Sequence, residues 1–134
     1  MPDMTTVLVV EDNPANMTLA TFLLKSAGYE VLSAIDAEAG LALARREHPD
    51  LVLMDIQLPG MDGLQACAIL KADDATRDIP VFALTALAMK GDEERIRAAG
   101  CDGYIAKPLA YKQFLATISG QVKKTEALKA VVPR

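Results

Sequence analysis

Apolar residues along this chain follow two periods in turn. Short, nearly continuous runs (Val7 to Val10, Leu51 to Met54, Val81 to Leu84, Tyr104-Ile105-Ala106) read as strands buried on both faces. Between them, apolar positions recur at helical spacing. Asn13-Pro14 supplies an N-cap and an N1 proline for a helix carrying Met17, Ala20, Leu23, Leu24 and Ala27, with Gly28 suited to the C′ position. Glu30 to Ala34 is a short strand, and Asp36 caps a helix through Leu41, Leu43 and Ala44 that ends in Arg45-Arg46 and is stopped by Pro49. Asp62 caps a third helix bearing Leu64, Cys67, Ala68, Leu70 and Lys71, and the polar stretch 72–78 returns the chain to the fourth strand. A fourth helix spans about Ala88 to Ala99 with Gly100 as its C′ residue, and an amphipathic helix from Tyr111 to about Val122 completes the pattern.

Five β-α units of this kind predict an α/β fold, a doubly wound five-stranded parallel sheet in flavodoxin-like order 2-1-3-4-5, with five helices on both faces. One domain is expected over 5–122, and 123–134 is read as a C-terminal tail, helix extension or disordered.

Composition narrows the function classes. A chain of 134 residues, half of them apolar, buries one core. Its formal charge of −4, without a basic cluster, lacks the electrostatic footprint of a nucleic-acid binder. Residues 1–6 carry no basic or apolar leader and no apolar stretch approaches a bilayer span, so a cytoplasmic protein with no membrane partner is expected. Cys67 and Cys101 have neither CxxC nor metal-ligand spacing, which favours buried reduced thiols over a disulfide, a redox site or zinc. His48, the only histidine, precedes Pro49 and reads as a solvated helix-end residue.

The informative residues are those directly after the strands. Parallel sheets bind ligands outside the carboxyl ends of their strands, and here those ends carry Glu11-Asp12, Asp55, Thr85 and Lys107. Singly, each has an ordinary explanation as a cap, a structural hydroxyl or a solvated charge. Their occurrence at successive strand ends is harder to attribute to capping. Three converging acids repel each other unless a proton or cation compensates, and an all-oxygen set suits Mg²⁺ better than zinc. With Thr85 as a hydroxyl donor and Lys107 as a point charge, the rim has what a carboxylate phosphoacceptor requires.

These segments, Val7-Leu8-Val9-Val10-Glu11-Asp12-Asn13, Leu51-Val52-Leu53-Met54-Asp55-Ile56-Gln57-Leu58-Pro59, Ala83-Leu84-Thr85-Ala86 and Tyr104-Ile105-Ala106-Lys107-Pro108, resemble the receiver domain of bacterial two-component response regulators, over about residues 5–122. The resemblance implies Asp55 as phosphoacceptor, with Mg²⁺ bound by Asp12, Asp55 and the carbonyl of Gln57 and assisted by Glu11 through water. It implies Thr85 and Lys107 as phosphoryl-binding groups, Ala86 as a small neighbour, Thr85 and Tyr104 as a coupled switch, and a cis Lys107-Pro108 bond. Gln57 and Leu87 occupy positions that influence access of water. The stretch from Ala88 to Ile96 and Gly100-Cys101 is similar to the single-domain DivK group, although receivers of hybrid histidine kinases carry comparable stretches.

The implied partners are a sensor histidine kinase or histidine phosphotransfer protein and a downstream protein target. The implied activity is that of a phosphoacceptor switch with self-catalysed phosphotransfer and autodephosphorylation, not a conventional enzyme. A phosphate sink or relay intermediate is an alternative within the same chemistry. Two rivals differ in class. A flavin-binding flavodoxin would want Ser, Thr or Gly donors where Glu11-Asp12-Asn13-Pro14 stands, and a metal-dependent aspartyl phosphatase would want a second acid at Gln57.

Overall fold

The computed structural model describes residues 5–86 and 90–131. In chain order the elements are β1 (Thr6–Val10), α1 (Pro14–Ser26), β2 (Glu30–Ala34), α2 (Ala37–Glu47), β3 (Leu51–Asp55), α3 (Gly63–Ala72), β4 (Val81–Thr85), α4 (Lys90–Ala98), β5 (Gly103–Ala106) and α5 (Tyr111–Val131). The strands form one parallel sheet in the order β2-β1-β3-β4-β5. The expected doubly wound topology is therefore the observed one.

Strand alternation divides the core into two layers. Val7 and Val9 of β1 and Leu51 and Leu53 of β3 pack against Leu23 and Leu24 of α1 and Phe114 and Ile118 of α5. Leu8, Val10, Val52 and Met54 face Leu41 and Ala44 of α2 and Ala66, Cys67 and Leu70 of α3. β1, β3 and β4 are buried almost throughout, which is why their sequences are apolar without a break.

The caps hold the helix starts at the sheet's carboxyl edge. Asn13 accepts from the amide of Asn16 and Asp36 from that of Ala39, while Asp62 and Gln65 form a reciprocal capping box. Gly28 and Gly100 follow their helices with φ of +94°, as the C′ positions require. His48 is half exposed, as expected. It also ends α2 in a left-handed conformation, with Nε2 3.1 Å from Asp78 Oδ1.

Two boundaries bear on the sequence reading. α5 runs on past Val122 to Val131, so the segment read as helix extension or disorder is helix that far, and no residue in it breaks a helix before Pro133. The fourth helix is described from Lys90, and Leu87, Ala88 and Met89 lie outside the described residues. No helix among the described residues is long and apolar enough to cross a membrane.

Candidate functional site

The parallel register brings the ends of β1, β3 and β4 and the residue after β5 to one edge. Val10 pairs with Met54, Asp55 with Leu84, and Thr85 with Ala106, so Glu11, Asp55, Thr85 and Lys107 emerge side by side. Backbone bonds fix that edge: the Glu11 amide donates to Ala34 O at 3.0 Å and the Lys107 amide to Thr85 O at 2.8 Å.

Asp55 and Thr85 are buried, Glu11 is 2% exposed, and Asp12 faces solvent. One carboxylate oxygen each from Glu11, Asp12 and Asp55 lie within 4.8 Å of one another. Lys107 Nζ bridges two of these acids, 2.8 Å from Glu11 Oε1 and 2.9 Å from Asp55 Oδ2. The other Asp55 oxygen accepts from the Gln57 amide at 2.9 Å, and Glu11 Oε2 accepts from the Asn13 amide at 3.2 Å. The Lys107-Pro108 peptide is cis, as expected.

Charge at this edge is only partly balanced. Three carboxylates against one ammonium leave a formal −2 when all are ionised. Burial first, and the closeness of Asp55 second, push the Glu11 carboxyl above its usual 4.5 despite Lys107. Burial alone would lower Lys107 below its ordinary 10.5, but contacts with Glu11 and Asp55 outweigh it and raise the value. Glu11 Oε1 is buried and, although Lys107 Nζ is near enough for an ion pair, no donor is aligned for a hydrogen bond to it. A buried acceptor of this kind, within a net-negative oxygen set open to solvent through Asp12, fits a hydrated divalent cation such as Mg²⁺.

Sequence reasoning named these groups but missed two residues that anchor α3, one of them directly behind the site. Gly63, the first residue of α3, lies against the strand that ends in Asp55: a Cβ there would stand 2.0 Å from Asp55 O and 2.7 Å from Ile56 Cα. Asp62-Gly63 reads in sequence as an ordinary cap and helix start, and nothing local signals the close approach. Lys71, expected only as a helix residue, sends Nζ to Ile79 O at 2.8 Å and to Asp102 Oδ2 at 2.8 Å, tying α3 to the entries of β4 and β5.

Tyr104 points outward from β5 and is 38% exposed. With Ala106, Pro108, Phe114 and Thr117 it lines a cavity of about 410 Å³ between β5 and α5. A second apolar surface lies on α1, which begins at the site edge: Pro14, Ala15, Thr18, Leu19 and Phe22 line it, and Phe22 is 66% exposed.

Residues 7–119 match the model of the response regulator receiver domain. The chain is 52% identical to the polar-differentiation response regulator DivK of Brucella ovis over 112 residues, 84% of this chain and 91% of that protein. Among solved structures, the receiver domain of the sensor histidine kinase PA1611 of Pseudomonas aeruginosa, with a magnesium ion coordinated in its active-site cleft, superposes with a TM-score of 0.84 at 35% identity, covering 90% of this chain and 99% of that one. The chemotaxis response regulator CheY4 of Vibrio cholerae gives a TM-score of 0.84 at 26% identity, over 89% of this chain and 99% of that one.

Proposed function

The chain belongs to the response regulator receiver domain family, and from that premise we propose that it is a DivK-like cytoplasmic switch, phosphorylated on Asp55 by a histidine kinase or histidine phosphotransfer protein. The observation that carries this reading is the bridging of Glu11 and Asp55 by Lys107 Nζ beside a third carboxylate. That arrangement presents an anionic nucleophile among groups that offset incoming negative charge.

In the transfer, a carboxylate oxygen of Asp55 forms a bond to phosphorus as the bond to the donor's imidazole nitrogen breaks. The leaving nitrogen keeps the electron pair. Lys107 then exchanges part of its contact with Asp55 for the phosphoryl oxygens, and the Thr85 hydroxyl serves as a further donor. Asp12, Asp55 and the Gln57 carbonyl would hold Mg²⁺, with Glu11 assisting through water, and the bound ion would supply charge neutralisation at the phosphoryl oxygens. Water later cleaves the acyl phosphate, returning Asp55 to its starting state. The Gln57 side chain is exposed and carries no acid, so the chain lacks the general acid that a phosphatase would place there.

Two surfaces suit two kinds of partner. The apolar face of α1 and exposed Ile35, which follows the Ala34 carbonyl bonded to Glu11, flank the site and would be covered by a docked phosphodonor. The β5–α5 cavity adjoins Tyr104 and suits a downstream protein that distinguishes the two states. In this scheme Thr85 and Tyr104 move together on phosphorylation, so Thr85→Ala accepts phosphate but loses the change in partner affinity. Retention of the full change, titrated with beryllofluoride in place of the phosphoryl group, would remove Thr85 from the switch.

The assignment of Asp55 is tested by incubating the protein with a small phosphodonor and Mg²⁺ and reading intact mass. One phosphate is expected on the parent and none on Asp55→Asn, whose amide is a poor nucleophile. Equal labelling of both would sink the assignment.

A further inference from the structure

Cys67 and Cys101 lie far apart in sequence, yet their sulfurs are 3.0 Å apart. Both are free thiols. Cys67 belongs to α3 and is fully buried against the α2–α3 face of the sheet, whereas Cys101 sits in the turn from α4 into β5 and is partly exposed. The two segments are clamped on either side of the pair. The Cys101 amide donates to Ile96 O at 3.2 Å and the Asp102 amide to Val81 O at 2.8 Å, while Lys71, one turn beyond Cys67, reaches Asp102 Oδ2. A disulfide requires sulfurs about 2.05 Å apart, so bond formation needs the pair to close by only about 1 Å.

We propose that Cys67 and Cys101 form a reversible dithiol–disulfide site, oxidised by hydroperoxides, that staples α3 to the turn entering β5. Its chemistry is independent of phosphorylation. The Cys101 thiolate attacks a peroxide oxygen: an S–O bond forms, the O–O bond breaks and hydroxide leaves. The Cys67 sulfur then attacks the sulfenic sulfur, forming the S–S bond and breaking S–O, and the Cys67 proton leaves with the oxygen as water. Two thiols lose two electrons and one hydrogen peroxide becomes two waters.

The environment orders these roles. The sulfur–sulfur contact, aided by the Lys71 ammonium and opposed by burial and Asp102, holds the Cys101 thiol below its usual 9.0, while the same contact together with burial pushes that of Cys67 up. Exposure gives the same order, since peroxide reaches Cys101 and not Cys67. The staple would join the cluster of Ile56, Ala83 and Ile96, against which Cys101 packs and which reaches from the entry of β5 towards the chain neighbour of Asp55.

The test is titration of the reduced full chain with hydrogen peroxide, read by alkylation under denaturing conditions and intact mass. The expected product is an intramolecular species lighter by about 2 Da, with both thiols protected, a Cys67–Cys101 linked peptide, and reversal by dithiothreitol. The chain-entropy model for a loop of this size gives a rise in Tm of about 14 °C for the oxidised form. Cys67→Ser should instead accumulate a Cys101 sulfenic acid that dimedone traps, and Cys101→Ser should resist the same peroxide dose. Overturning results are thiols that stay alkylatable at doses that trap the Cys67→Ser variant, a sulfenic acid that persists in the parent, or linkage only between chains.

Discussion

Replacing Gly63 by alanine tests whether close packing of α3 against β3 sets the geometry of Asp55. The added methyl would lie 2.0 Å from Asp55 O, and reaching the 3.4 Å of ordinary contact requires a separation of about 1.4 Å. Both obstructing groups are backbone, so no side-chain rotation relieves them. Overpacking of this severity costs about 1–3 kcal/mol, offset by about 0.4–1 kcal/mol from the stiffer unfolded chain. A net loss of about 1–2 kcal/mol corresponds to a fall in Tm of roughly 4–8 °C for a domain of this size. The displaced end of β3 carries Asp55, the proposed nucleophile, and misplacement by about 1 Å can reduce a reaction up to about 10²-fold. Thermal melting and initial rates of labelling by a small phosphodonor report the two effects. Gly120→Ala is the control: Gly120 is exposed in α5, its Cβ would meet nothing within 4 Å, and the change should be neutral or stabilising by up to about 1 kcal/mol. A Gly63→Ala protein that melts with the parent and labels at the parent's rate would refute the reasoning.

Two predictions concern the charged edge. Asp12→Asn should lose most Mg²⁺ affinity yet, in chelator, melt at or above the parent, because one of three mutually repelling carboxylates is gone; clear destabilisation in chelator would contradict the clustering. In the metal-free protein Glu11 holds its proton to higher pH than the unfolded chain does, so its contribution to stability is fully present below 4.5 and is lost as pH rises through the folded value. Glu11→Gln should flatten that part of the stability–pH profile relative to the parent, and parallel urea-denaturation profiles would reject the assignment.

The topology was legible because continuous apolar runs and amphipathic stretches alternate, and Asn13, Asp36 and Asp62 mark their helices with side chains that do cap them. The site edge was legible for a related reason: in a parallel sheet the residue after each strand is brought to the same side, so Glu11, Asp55, Thr85 and Lys107 can be grouped without knowing a distance. Properties that depend on distance were not legible. Burial separates Glu11 from its neighbour Asp12, Lys107 chooses Glu11 and Asp55 as partners, and Cys67 meets Cys101, all through packing of segments far apart in sequence. The reach of α5 was left open between helix extension and disorder, because the amphipathic pattern was followed only to about Val122.

Assembly of the charged edge from the ends of separate strands would make the proposed cation binding a property of the completed sheet alone. A ligand that binds only the folded chain stabilises it by about 2.7 kcal/mol at a hundredfold excess over Kd. Free magnesium would thus help set how often the chain opens to a protease. The ranking of variants then inverts with ionic conditions: Asp12→Asn outlasts the parent when divalent cations are scarce, and the parent outlasts Asp12→Asn when they are abundant. If the proposed site binds it, magnesium concentration would bear on the survival of the folded chain separately from any demand made by signalling.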